Sequence, residues 1–522
     1  MHRFVLAVGA VLFIGVRLHV VDDDIPNPDI AGILYNAELL LDGGLPYIDT
    51  VEAKPAGSFF MVALAFAMFG RGLLALQLVH VLWLLAAAPA VWLVASELSR
   101  EHSQRVRSVT AALATAVYLT YAPMFSYNYS SWMMPAYAWA GAAVLVGLRR
   151  DKLSWHVLAG ASAMVAYATM QRAVVLAALM LAFWGWARRL GLAGARPLAF
   201  VGWGTGAALA FTALAMPYLL IGEAGAFLNG LFPFDTALRY TAQSDVGFTT
   251  VALGAATQLV QTFWFAALLV GLGVVASILA ARSGEQPPRT DVWFVGTAWL
   301  VASIAGAAIG GGRFYVHYLV QYVPALAVMA AHPSVVALLL GDGSNRRAHI
   351  ATRVGVGLAV AAQLYEVGVG SGHRYGSMAR RLGDGRTAAQ AAGAHIVERT
   401  QPGDRIAAWG WTAWRVYYWA DRRAPGAIYK PMGTLTTFNT NTAFTPGGNI
   451  EFTPGPRSEE YIAAFDANPP AFFVYSPSFV LAFGARPDPL QAFGPLRQRL
   501  ERDYVIDGVY GDLRLFRRRP GA

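Results

Sequence analysis

Residues 28–70 read PDIAGILYNAELLLDGGLPYIDTVEAKPAGSFFMVALAFAMFG. Pro28 and Asp29 open an amphipathic run, IAGILYNAELLL, which stops at Asp42-Gly43-Gly44, a helix-end pattern. A polar loop with Asp49, Glu52 and Lys54 follows, and Pro55 leads into an apolar run over 56–70. Pro55 is expected at the first position of that helix. At ~1.5 Å per residue such a run is too short to cross ~30 Å of hydrocarbon. It is expected to lie flat or half inserted at a membrane surface. The segment therefore sets a carboxylate, a lysine and a short apolar helix side by side at that surface.

The surroundings read as a membrane frame. The chain has 522 residues, 56% hydrophobic and 14% charged, with mean hydropathy +0.44. Soluble domains carry about 25% charged residues, and here the apolar residues fall in long runs. Candidate spans are roughly 4–20, 72–98, 108–122, 130–148, 155–170, 173–187, 197–221, 252–281, 291–310, 315–335 and 349–369. They make about eleven transmembrane helices of a polytopic α-helical membrane protein. The run Phe4 to Gly15 imitates a signal peptide but lacks a small-residue cleavage site before Asp22-Asp23-Asp24. It reads as an uncleaved span with its N-terminus in the cytoplasm.

Charge tests this topology. With 56–70 not spanning, Arg3, Arg100, Arg105, Arg107, Arg149, Arg150, Lys152, Arg188, Arg189, Arg196, Arg282, Arg289, Arg346, Arg347 and Arg353 share one side. Before residue 371 the other side receives Arg17, Lys54, Arg71, Arg172, Arg239 and Arg313. That is the positive-inside bias, and it puts the first outer loop, residues 21–71, outside the cell membrane. The same loops account for the net charge of +9 without a nucleic-acid partner. Cysteine is absent, which excludes disulfides, thiolate metal sites and a catalytic thiol.

From about Ser371 the long apolar runs stop. AAQAAGAHIVERT (388–400) and LRQRLERD (496–503) read as helices. DRIAAWGW (404–411), PAFFVYS (470–476), YVIDGV (504–509) and DLRLFRR (512–518) read as strands, and Lys430 to Arg457 as a long loop. The division is a transmembrane domain over 1–370 and a small extracytoplasmic α/β domain over 371–522.

Few basic residues fall on the outer side, so each needs a reason, whereas carboxylates cluster in the first outer loop. Asp29 is either an N-terminal helix cap or a base held by cap geometry. Lys54 is either an interfacial lysine snorkelling to water or a phosphate ligand beside a helix N-terminus. Arg313 and His317, four apart in GGGRFYVHYLVQYVP, suit either two-point phosphate binding or an aromatic anchor belt with Tyr315, Tyr318 and Tyr322. Gln171-Arg172 breaks a long apolar stretch. A charge in mid-membrane costs ~2.5–3.5 kcal/mol on insertion scales, so the pair is expected as a tight outer turn, with Arg172 facing the same cavity as Lys54 and Arg313. The aromatics Trp409, Trp411, Trp414, Tyr417, Tyr418 and Trp419 suit either sugar stacking or a buried interface with the membrane part.

Asp29, Tyr35, Ala37, Leu40-Leu41-Asp42-Gly43, Leu45-Pro46-Tyr47, Asp49, Lys54-Pro55 and Phe69-Gly70 together resemble the first-loop signature of the family 39-like, GT-C fold glycosyltransferases. These are the relatives of protein O-mannosyltransferases and of the lipid A aminoarabinose transferase. The Gln171 turn, the Arg313 to Pro324 segment and the plan of spans followed by an external domain resemble that family too. The sequence departs from it at Ile30, Pro55-Ala56, Met170 and NYSSWMMP.

The resemblance implies a membrane glycosyltransferase that takes a sugar from a polyprenyl-phosphate donor. Asp29 matches the family's catalytic base and Lys54 its donor-phosphate ligand. Arg313, His317 and Arg172 are expected to join Lys54 on the phosphate, with Tyr35, Gln171 and Glu52 as accessory residues. The acceptor is expected to be a lipid glycan, a polysaccharide or a protein at the outer face. No cofactor is required, although Asp24 and Asp29 could contribute oxygen ligands to a divalent metal. The competing reading is a transporter or flippase of a lipid-linked sugar, and a third is a non-catalytic membrane scaffold. Paired broken helices in matching halves, which a transporter would show, are not evident in the sequence.

Overall fold

The computed structural model describes residues 27–124, 127–234, 247–282, 291–309, 315–341, 386–438, 450–477 and 488–522, with short pieces within 6–13, 24–25 and 349–365. Arg313, Asp22 and Asp23, most of the expected span 4–20 and part of the expected span 349–369 lie outside the described residues.

Helix α1 (Pro28–Leu41) is opened by Asn27, whose side-chain oxygen accepts from the Asp29 N–H at 2.9 Å, with Pro28 at the first position. It ends where Asp42-Gly43 predicts, Gly43 taking a φ of 87°. Helix α2 (Gly57–Phe69) is the short apolar helix, thirteen residues long. It begins two residues after Pro55, with Ala56 at the cap position. Gly57 lets it approach the backbone of Ala168, where a β-carbon would stand 2.5 Å from the carbonyl oxygen.

Among the described residues five helices are long and apolar enough to cross a membrane: Leu73–Leu98, Tyr129–Arg150, Leu198–Leu220, Ala252–Ile278 and Asp291–Ala308. Val316–Ala330 and Pro333–Leu340, bent by 47°, make a sixth if counted as one span. Three expected spans are helices that fall short: Gln104–Tyr121 opens on Gln-Arg-Val-Arg, while Leu153–Thr169 and Val175–Arg189 have 17 and 15 residues. The last two are separated by the 3-10 turn Gln171–Val174, as the polar interruption there predicts.

Helix α3 (Tyr129–Arg150) is the axis of the bundle. Its apolar stretch is 94% buried, against 28–50% for the other four. The outer helices therefore present large apolar faces, as lipid requires and water would not tolerate. Its neighbour α4 (Leu153–Thr169) packs through glycines against α5 (Leu198–Leu220). A β-carbon at Gly160 or Gly206 would run into the backbone of Trp203 or Val157.

Residues 386–522 carry strands and helices in turn. Strands β1 (Ile406–Trp409), β4 (Phe472–Tyr475), β5 (Tyr504–Tyr510) and β6 (Leu513–Arg518) form one sheet in the order β1-β4-β6-β5. β1 and β4 are parallel, with Ile406 opposite Phe472; the other pairs are antiparallel. The stretch expected to be a long loop instead holds β2 (Thr436–Phe438) and β3 (Ile450–Phe452), an antiparallel pair. Its Thr and Asn content reads as loop, but alternate side chains such as Ile450 pack inward.

Candidate active site

Because Asn27 caps α1, the Asp29 carboxylate is free of capping duty. It sits at the second helical position, partly exposed, and makes no hydrogen bond or ion pair among the described residues.

The Lys54 loop is pinned at three points. Glu52 Oε1 accepts from the Ala53 and Lys54 N–H groups at 2.9 and 3.1 Å. The Gln171 side-chain amide donates to the Ala53 carbonyl at 2.9 Å. The Tyr47 hydroxyl donates to the Lys54 carbonyl at 2.8 Å. Tyr47 holds a left-handed φ of 69°, an outlying conformation for a bulky side chain. Its ring rests on Gly230, where a β-carbon would strike it, and stacks near Tyr218 at 6.2 Å. These contacts direct the Lys54 ammonium toward the Tyr129 ring, 5.8 Å from its centroid. Among the described residues that ammonium has no carboxylate partner.

Arg172 leaves the 3-10 turn and lies across the face of Tyr318. It is 6% exposed, and its Nη1 has no hydrogen-bond partner among the described residues. His317 stands edge-on to Tyr318 at 4.4 Å. The Asp29 charge acts on the hydroxyls of both Tyr129 and Tyr318, and the charges of Arg172 and Lys54 both act on His317. Asp29, Lys54, Arg172 and His317 are thus gathered around Tyr129 and Tyr318, at the N-terminal end of α3. Sequence reasoning named the first four. It missed Tyr129, whose only signal is its place at the start of an apolar run.

Of the accessory candidates, Tyr35 and the second oxygen of Glu52 serve a contact with the C-terminal region. Tyr35 stacks on Tyr429, with centroids 4.2 Å apart and planes 3° apart, and its hydroxyl accepts from the Ala424 N–H at 3.0 Å. Burial pushes both phenols above their ordinary range. Glu52 Oε2 binds Lys430 Nζ at 2.5 Å and the Tyr429 hydroxyl at 2.6 Å. The Asn36 amide donates to that hydroxyl at 2.8 Å, and the Thr50 hydroxyl donates to Asn36 Oδ1 at 2.7 Å. Arg423 binds Asp42 at 2.5 Å and Arg71 binds it at 2.6 Å. Burial pushes Asp42 up, but these two arginines win and hold its carboxyl below the usual range. The C-terminal region is therefore fastened onto α1 and the Lys54 loop. The aromatics Tyr417 and Trp414 belong to this contact: Tyr417 meets Tyr35 edge-on at 5.1 Å, and Lys430 lies 5.5 Å from the Trp414 ring centroid.

Asp24 lies 3.8 Å from Arg415. Among the described residues no three of His, Asp or Glu gather as a cation site.

Comparison with protein-family models and with curated proteins finds no match. Solved structures do match. ArnT from Cupriavidus metallidurans bound to undecaprenyl phosphate superposes with a TM-score of 0.57 at 17% identity, covering 99% of this chain and 98% of that one. Its apo state gives 0.55 at 14% identity, covering 98% and 97%. The archaeal oligosaccharyltransferase AglB from Archaeoglobus fulgidus, in complex with an inhibitory peptide and a dolichol-phosphate, gives 0.56 at 13% identity, covering 99% of this chain and 74% of that one. ArnT, a lipid A aminoarabinose transferase, and AglB are GT-C fold enzymes. At these identities the likeness shows the fold: this chain is a polytopic helical membrane protein of GT-C architecture.

Proposed function

We propose that the chain is an integral membrane glycosyltransferase that moves a sugar from a polyprenyl-phosphate donor to an acceptor hydroxyl at the outer face. The observation that carries this reading is one acid and two cations, Asp29, Lys54 and Arg172, without a protein counter-charge among the described residues, around Tyr129 and Tyr318. Neighbours of the same fold bound to undecaprenyl phosphate and dolichol-phosphate support a lipid phosphate as the ligand those cations await. In the proposed topology about eleven helices span the bilayer. Residues 371–522 form an external α/β domain, and the site faces outward.

In this mechanism the acceptor oxygen attacks the anomeric carbon as Asp29 takes its proton. The bond from that carbon to the phosphate oxygen breaks, and the electron pair leaves with the polyprenyl phosphate. Attack opposite the phosphate inverts configuration. Lys54 and Arg172, joined by His317 and Arg313, stabilise the charge that grows on the leaving phosphate. A phosphate leaves without protonation, so one carboxylate suffices.

The test is transfer by the purified chain in lipid nanodiscs, offered polyprenyl-phosphate sugars and envelope acceptors. The expected result is donor consumption and a new glycoside, lost ~10³-fold or more in Asp29→Asn while donor binding persists. Near-normal transfer by that variant removes Asp29 from the role. Passage of intact lipid-linked sugar across vesicles without cleavage would point to the transporter reading. Mass spectrometry of envelope glycans with and without the active chain would name sugar and acceptor.

A further inference from the structure

The chain contains three lysines, Lys54, Lys152 and Lys430. Two of them precede proline, and those two reach the same carboxylate: Lys54 through its backbone N–H and Lys430 through its ammonium. We infer that Lys430 is a positioning residue of the donor-phosphate site, acting through Glu52 on Lys54. The inference rests on the donor reading above and adds to it a residue from the far end of the chain.

The geometry is a relay. Lys430 and the Tyr429 hydroxyl hold Glu52 Oε2, and the Glu52 side chain is 3% exposed. Its other oxygen holds the amides of Ala53 and Lys54. A carboxylate fixed at one oxygen keeps the other in place, so the turn that aims Lys54 at Tyr129 is set from the C-terminal region. Lys430 also crosses α1. A β-carbon at Gly32 would lie 2.7 Å from its Nζ and 3.2 Å from the Tyr429 hydroxyl. Gly32 follows Asp29 by three residues, hence on the same helical face. Only a residue without a side chain leaves room for the ammonium there. The one lysine thus touches both the helix that carries the proposed base and the loop that carries the proposed phosphate ligand. Without it, Glu52 keeps a single side-chain partner, the Tyr429 hydroxyl, and the Lys54 turn loses its register.

The experiment is a binding cycle on the full-length protein in nanodiscs, with undecaprenyl phosphate as probe and melting temperature as the check on folding. Wild type, Lys54→Met, Lys430→Met and the double variant are compared. Lys430→Met is expected to weaken binding ~10-fold, and Lys54→Met at least as much. The double variant is expected to bind no worse than Lys54→Met alone, because Lys430 acts only by placing Lys54. A purely structural lysine would lower the melting temperature and leave the affinity of folded protein unchanged. Wild-type affinity in Lys430→Met, or a loss that adds in full to that of Lys54→Met, overturns the inference. If Lys430→Met does not fold, Glu52→Gln replaces it in the same cycle with the same expected non-additivity. If wild type binds no undecaprenyl phosphate, the donor reading falls and this inference with it; an additive cycle on a binding wild type overturns the Lys430 role alone.

Discussion

The two ends of α3 handle charge in opposite ways. At the C-terminal end Arg149 binds Asp291 at 2.8 Å, with side chains 12% and 10% exposed, and Arg150 pairs with Glu97. Arg149 also donates to the Glu97 carbonyl. About 30 Å away at ~1.5 Å per residue, near Tyr129, the Lys54 ammonium, the Arg172 guanidinium and the Asp29 carboxylate have no protein counter-charge among the described residues. A buried charge is costly until something pairs it. At one end the protein supplies the partner, so the charges are structure. At the other the partner must arrive, so the charges describe a ligand.

The contrast is sharpest under substitution. The largest effect is expected at the paired end. Asp291→Ala leaves Arg149 buried and unpaired, and should cost ~3–5 kcal/mol of stability, read by denaturant or thermal unfolding in detergent. The folded fraction should transfer normally; a fall in its turnover would show that the two ends are coupled. Arg172→Met is the reverse case. Transfer should fall ~10²–10³-fold, while the melting temperature stays level or rises, because an unsatisfied Nη1 is removed. A large loss of stability with turnover intact would make Arg172 structural and erase the contrast.

A third effect comes from Glu38, on α1 between the two extremes. Burial, opposed by Arg423, raises its carboxyl from 4.5 to about 7. Between those pH values the folded chain holds a proton that the unfolded chain has released. Stability is therefore greatest at the acid end of the window and falls by ~1.4 kcal/mol per pH unit until the pH passes the folded value. Glu38→Gln should flatten that slope; an unchanged slope assigns it to another group. The smallest effect is expected from Gln171→Leu, which frees the Ala53 carbonyl. A net hydrogen bond of ~0.5–1.5 kcal/mol translates into a several-fold weaker interaction with donor and little change in melting. An unaltered donor affinity would show that the Lys54 loop does not need the Gln171 tether.

Much of this was legible in residue order. The short apolar helix, the Gln171 turn and the helix end at Asp42-Gly43 follow from local rules of length, polarity and glycine conformation. The span count was less legible. Val175–Arg189 is short and ends on two arginines, and Gln104–Tyr121 opens on two, so among the described residues fewer helices than expected pass as spans by length and composition. For Asp29 the sequence offered two roles and could not choose. The structure gives the cap to Asn27, a residue two positions away, because its side chain reaches the Asp29 N–H.

By itself, then, the sequence determined that the chain is a membrane bundle with a cluster of carboxylates and a lysine in one early loop. Hydropathy and charge are properties of each residue and need no neighbours to be read. Only the tertiary structure decided which charges are paired and that Lys430, nearly four hundred residues beyond Gly32 by number, lies against it and holds Glu52. Pairing is a matter of a few ångströms between distant parts of the chain, and no local pattern encodes that distance.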